Sequence, residues 1–167
     1  MSEIITLDMN TPSVQYLCKK DKRLAKVISM VGSITYTPHE DGYAFLVSEI
    51  IEQMLSTKAA DKIYSHLEDL CEGNVCVDSI YKLDNSEIKA IGTSSAKVKY
   101  IRCLTDAIES GHICFDELAR MPDKAVIKAL TSVCGIGTWT AKMYLIFCLD
   151  RQDILPYEDV AFLQGYR

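Results

Sequence analysis

The chain sets Gly135-Ile136-Gly137 between two segments of helical pattern, 123–132 and 139–149. A plain turn between helices needs one helix breaker, and here two enclose a single apolar residue. Ile136 can plug the gap between the helices while both glycines take backbone shapes closed to other residues. Such a turn leaves main-chain N–H groups bare at the start of the second helix, where the helix dipole favours an anion. A phosphate fits that site, which positions a nucleic-acid backbone and reads no base sequence. An ordinary tight turn is the alternative. The only tryptophan, Trp139, follows at once.

The rest of the chain is consistent with an all-α fold. Thr11-Pro12 and Asp21 are helix starts, and Gly32, Gly73 and Gly111 are helix stops. Leu24, Val27, Ile28 and Val31 recur at helical spacing after Asp21. Residues 34–38 read as a short extended piece. A strongly apolar helix is expected over 44–55, a second carrying Ala59 to Leu70, and a short one over 86–91. Ser94 or Ser95 caps a long helix with Val98, Ile101, Leu104 and Ile108 facing inward. One turn is expected at 116–120, and Pro122 opens the helix before the glycine pair. This makes about nine short helices in one multi-helix bundle. The expected division is 1–43 as part of a terminal lobe, 44–158 as a helical domain with the hairpin at 123–149, and 159–167 as the start of a last helix.

Composition narrows the function. The 167 residues carry a net charge of −5, which lowers the expectation of nucleic-acid binding without removing it. No apolar run is long enough to span a bilayer, and 1–10 has no signal-peptide pattern. The seven cysteines form no C-x-x-C pair, so they read as reduced core thiols of a cytoplasmic protein. The three histidines stand apart with no metal-ligand spacing.

Four stretches together resemble the helix-hairpin-helix DNA glycosylase superfamily, and within it the DNA-3-methyladenine glycosylase II group. They are LVSEIIEQMLSTKAA at 46–60, IKAIGTSSAKVKYI at 88–101, LTSVCGIGTWTAKMYLIF at 130–147 and DILPYEDVAFLQG at 153–165. The resemblance implies a two-lobed helical architecture and a glycosylase of base excision repair. A damaged base is flipped from duplex DNA into a pocket, and its N-glycosidic bond is hydrolysed through an oxocarbenium-like sugar. The aspartate in the catalytic position is Asp159, 22 residues past the second glycine. One carboxylate can stabilise the sugar cation or activate water. An alkylated purine such as 3-methyladenine is already cationic and leaves with little acid help. Without the resemblance, Asp159 reads as a helix N-cap.

The resemblance assigns further residues. Members that also cut the strand carry a lysine two residues after the second glycine, where this chain has Trp139. The enzyme is therefore expected to be monofunctional, with Trp139 stacking on the cationic base. The other reading of Trp139 is a core side chain packing the hairpin. Gln53, Met54 and Ser56 fall in the segment that fills the hole left by the flipped base, with Met54 as the apolar wedge. The alternative for Met54 is a core position at a helix end. Glu52 stands where many relatives have a second glutamine. Gly135, Gly137 and Thr140 are expected at the DNA backbone. The main-chain carbonyls of Thr131, Val133 and Ile136 are implied to hold a structural monovalent cation.

No cofactor is otherwise required, and no cysteine follows Asp159 to build an iron–sulfur cluster. Lys97, Lys99 and Arg102 read as a solvated basic face. The partner implied is double-stranded DNA containing a damaged base, bound by a monomer, with no membrane. Relatives continue beyond the matching point, so the chain reads as short of C-terminal helices. A non-catalytic DNA-binding module, or an inactive glycosylase fragment, is the competing reading.

Overall fold

The computed structural model describes residues 4–165. Met1–Glu3, in the segment expected to belong to a terminal lobe, and Tyr166 and Arg167, at the end of the expected last helix, lie outside the described residues. The chain divides into two compact units, 1–40 and 41–167.

The first unit contains strands β1 (Ile5–Leu7) and β2 (Ile34–Tyr36) and helices α1 (Pro12–Lys20) and α2 (Lys22–Val31). The strands pair antiparallel, with Thr6 opposite Thr35. Thr11 starts α1, but its side chain does not cap the helix. Its hydroxyl instead bonds Asp8 Oδ1 at 3.1 Å. Asp21 caps α2 as expected, accepting from the amides of Arg23 and Leu24. The apolar spacing of α2 buries none of its residues, and Val27, Met30 and Val31 are exposed.

The second unit is all helical. It runs α3 (Gly42–Glu52), α4 (Thr57–Leu70), α5 (Val77–Lys82), α6 (Asn85–Ala90), α7 (Ser95–Glu109), α8 (Phe115–Arg120), α9 (Asp123–Thr131), α10 (Thr138–Phe147) and α11 (Val160–Gly165). Its core is one cluster in which Leu46, Ile50, Leu67, Ile101, Leu104, Leu130 and Leu145 are fully enclosed. Ile136 joins the same cluster, so the apolar residue of the hairpin does plug the space between α9 and α10.

Three expectations need correcting. First, α3 ends at Glu52 rather than at 55. Lys97 Nζ donates to the Ile51 carbonyl at 2.7 Å at the C-terminal end of α3, where a cation is favoured. Second, Lys97 and Arg102 do not form a solvated face. The Arg102 guanidinium donates to the carbonyls of Ile80 and Leu83 and to Asn85 Oδ1, tying α7 to α5 and α6. Third, Cys103 and Cys134 are joined as a disulfide between α7 and the hairpin, whereas five cysteines are free. No described helix is long and apolar enough to cross a membrane.

Candidate functional site: the hairpin and the base hollow

The hairpin depends on one glycine for shape and leaves the other for approach. Gly135 has φ +89°, a region that L side chains rarely adopt. A Cβ there would also lie 2.2 Å from Tyr100 Cγ on α7. Gly137 differs from expectation: its φ of −90° is open to any residue. Nothing lies within 4 Å of the place a Cβ would occupy. Gly137 is the N-cap of α10, and no side chain caps that end. The first amides of α10 therefore face outward without a protein acceptor.

Gln53 braces the hairpin. Its Nε2 donates to the Gly135 carbonyl at 2.9 Å. A groove of about 500 Å³ beside it is lined by Gln53, Tyr100, Gly135, Ile136, Gly137 and Thr140. Thr140 is only 3% exposed, so its side chain reaches no further than the groove floor.

A second hollow of about 540 Å³ is lined by Glu52, Gln53, Met54, Leu55 and Trp139. Met54 projects fully into solvent and holds φ 60°. Its exposure excludes the core alternative. Ser56 is also exposed, as N-cap of α4. Trp139 is half-buried, and its indole is packed against the core.

Trp139 also meets Asp159. Its Nε1–H donates to Asp159 Oδ2 at 2.9 Å. The other carboxylate oxygen, Oδ1, accepts the amide of Phe162 at 2.9 Å at the start of α11. The helix-cap alternative is thus present in the structure and leaves the carboxylate available beside Trp139. These two bonds, Phe162 first, hold Asp159 below its ordinary carboxylate range. An indole N–H lies at the ring edge, so this bond does not itself occupy a ring face.

Sequence reasoning missed Lys142. Its Nζ is 2.8 Å from Glu158 Oε2 and 3.0 Å from the Leu155 carbonyl, and it lies over the Tyr157 ring. It clamps the segment before Asp159 onto α10 and lowers the Glu158 carboxyl. Lys142 stands three residues after Trp139 on α10. Nothing in the spacing pointed to a partner 16 residues away.

The carbonyls expected to hold a cation are those of Thr131, Val133 and Ile136. Among the hydrogen bonds outside regular helices, Val133 O accepts the Ile136 amide at 3.1 Å, and the carbonyls of Thr131 and Ile136 accept none. That leaves two carbonyls and a spare lone pair in a tight turn, which suits a hard cation of low charge. No group of three His, Cys, Asp or Glu side chains that could hold a metal occurs among the described residues.

Residues 47–167 match the HhH-GPD superfamily of base excision DNA repair proteins. The chain belongs to that superfamily. Among individual members, it is 29% identical over 160 residues to DNA-3-methyladenine glycosylase 1 of Schizosaccharomyces pombe, covering 91% of this chain and 69% of that one. It is 32% identical over 136 residues to the DNA-3-methyladenine glycosylase of Saccharomyces cerevisiae, covering 76% of this chain and 46% of that one. The crystal structure of a DNA-3-methyladenine glycosidase from Bacillus halodurans superposes with a TM-score of 0.87 at 34% identity. It covers 96% of this chain and 75% of that one. The Schizosaccharomyces pombe enzyme solved with abasic DNA gives a TM-score of 0.84 at 29% identity, over 94% of this chain and 79% of that one. This HhH-GPD chain therefore shares both fold and sequence with 3-methyladenine glycosylases.

Proposed function

We propose that the protein is a monofunctional DNA glycosylase of base excision repair that releases alkylated purines such as 3-methyladenine from duplex DNA. The hydrogen bond from Trp139 to Asp159 carries the reading, because it joins an aromatic surface to a fixed carboxylate beside an open hollow. The bare amides after Gly137 hold a phosphate, helped by a monovalent cation on the carbonyls of Thr131, Val133 and Ile136. Met54 enters the stack and occupies the place of the extruded base. The base lies on the face of Trp139, whose electron-rich ring favours a cation. As the glycosidic bond lengthens, positive charge grows on the sugar, and Asp159 stabilises it or takes the proton of attacking water.

Strand cutting needs a free amine to attack the sugar. Lys142 is the lysine next to Trp139 on α10, and its ammonium is held by Glu158 and Leu155. The product is accordingly an abasic site in an intact strand. The proposal also includes action as a monomer in the cytoplasm.

The test is base release from alkylated duplex DNA by the native chain and by Asp159→Asn, with abasic sites scored by alkali cleavage. Alkali-dependent cuts that vanish in the variant, with duplex affinity retained, support the reading. Binding without product from either chain supports the non-catalytic module instead.

A further inference from the structure

Cys103 and Cys134 join two parts of the fold with different duties. Cys103 lies on α7, a core helix of 15 residues, and Cys134 is the residue before Gly135 in the hairpin. Their sulfurs are bonded and their Cα atoms are 6.0 Å apart, although 31 residues separate them in the chain. Both residues are half-buried, so a small thiol or disulfide can reach them.

The bond is one of three side-chain ties on the same turn. Tyr100 stands one helical turn before Cys103 on the same face of α7, and its ring fills the place a Cβ on Gly135 would take. Gln53, the C-cap of α3, holds the Gly135 carbonyl through Nε2. Among the described residues, neither the Cys134 nor the Gly135 amide donates to a main-chain carbonyl outside the helices. The turn that leads to the bare amides of α10 is therefore positioned by side chains. Of the three ties, only the one between Cys103 and Cys134 can be made and broken by covalent chemistry.

A compartment that keeps thiols reduced, which the reading above assigns to this chain, leaves disulfides transient and regulatory. We propose that Cys103 and Cys134 form a reversible thiol–disulfide site whose oxidation raises affinity for duplex DNA by fixing the hairpin. The co-reactant is a low-molecular-weight disulfide of the glutathione class. One cysteine thiolate attacks that disulfide, forms a mixed disulfide and releases one small thiolate. The second cysteine thiolate attacks the protein-side sulfur and releases the other. Two electrons pass from the cysteine pair to the small disulfide, and the two cysteine protons end on the released thiols. Excess small thiol reverses both steps.

The inference rests on the duplex-binding part of the glycosylase reading. With the bond formed, the amides of α10 meet a phosphate from a turn that is already ordered. With it broken, binding must first order the turn, which should weaken affinity about 3- to 10-fold.

The full chain is equilibrated in buffers of graded reduced-to-oxidised glutathione ratio, and free thiols are trapped by alkylation and located by peptide mass. Affinity for a duplex carrying a stable abasic-site analogue is measured at each ratio, with helix content read by circular dichroism. The bond between Cys103 and Cys134 should form and break reversibly across the series. The oxidised chain should bind about 3- to 10-fold tighter at unchanged helix content. Cys103→Ser should show the weaker affinity at every ratio. Cys114→Ser, which removes an exposed free thiol, should follow the native chain. A pair that holds one state across the whole series overturns the proposal. So do equal affinities of the two forms, and an affinity loss accompanied by loss of helix, which marks a structural disulfide. A Cys103→Ser chain that responds like the native one overturns it as well. Absence of duplex binding in both states overturns the duplex-binding reading itself, and this inference with it.

Discussion

The indole of Trp139 and the carboxylate of Asp159, 20 residues apart, are joined by one hydrogen bond of 2.9 Å. The bond comes from different elements: Trp139 opens α10, and Asp159 precedes α11. It couples the surface proposed to receive the base to the group proposed to meet the sugar. A tryptophan at this position thus does two jobs that a phenylalanine can only half perform.

Trp139→Phe keeps an aromatic face and removes the donor. Base release should fall roughly 10- to 100-fold, because the carboxylate loses one of the two groups that orient it. Affinity for duplex DNA should hardly change. The pH profile gives an independent reading. Asp159 is held below its ordinary range, so its carboxylate persists as pH falls, until the lowered value is reached. Losing one of the two stabilising bonds should shift the acid limb of the rate profile to higher pH.

The two hairpin glycines should respond in opposite ways. Gly135→Ala meets both a positive φ and Tyr100, and should cost about 2–4 kcal/mol in urea unfolding. Tyr100→Ala in the same chain removes the collision and leaves the backbone strain, so it should recover only part of the loss. Gly137→Ala meets open space, and should cost less than about 1 kcal/mol as a poorer N-cap. Its Cβ would stand where a phosphate approaches. Duplex affinity should therefore drop for Gly137→Ala while the fold persists.

Lys142→Met keeps an aliphatic stem and removes both the ion pair with Glu158 and the ammonium over the Tyr157 ring. The pair is partly exposed, so little stability should be lost. The effect on catalysis should be larger, because the segment from Leu155 to Glu158 carries Asp159 at its end. A fall in kcat with KM little changed is expected. Glu158→Gln should be milder, since Lys142 keeps the Leu155 carbonyl.

Much of this was legible in the sequence. The caps Asp21 and Ser94 and the stops Gly32, Gly73 and Gly111 act through their immediate neighbours, so local chemistry reveals them. Ile136 was legible as the plug because it is the one apolar residue between two breakers. Strand β1 was not, since three residues show no alternation. Helix α5 was missed because Cys76 and Ser79 supply its capping box, and a thiol is a poor signal for a cap. The disulfide spans 31 residues, and the bonds of Trp139 and Lys142 span 20 and 16. Such pairs exist only once the chain is packed. Gly137 shows the reverse error: its residue type suggested a special backbone shape, and the structure uses its missing side chain.

Glu49, buried on α3 with no hydrogen-bond partner for its Oε2, offers the last prediction, one that needs no DNA. Its folded carboxyl is raised to about 7 from an ordinary 4.5. A raised acid contributes stability that is fully present below the unfolded value and is lost as pH rises toward the folded one. The native chain should therefore lose stability between pH 4.5 and about 7 relative to Glu49→Gln, which cannot ionise. The difference should reach no more than about 3 kcal/mol and be flat above that range. Urea midpoints of both chains across the interval measure it, and the comparison cancels the titration of every other carboxyl. Parallel curves would mean that the carboxyl is hydrated in solution, and that α3 buries no desolvated acid.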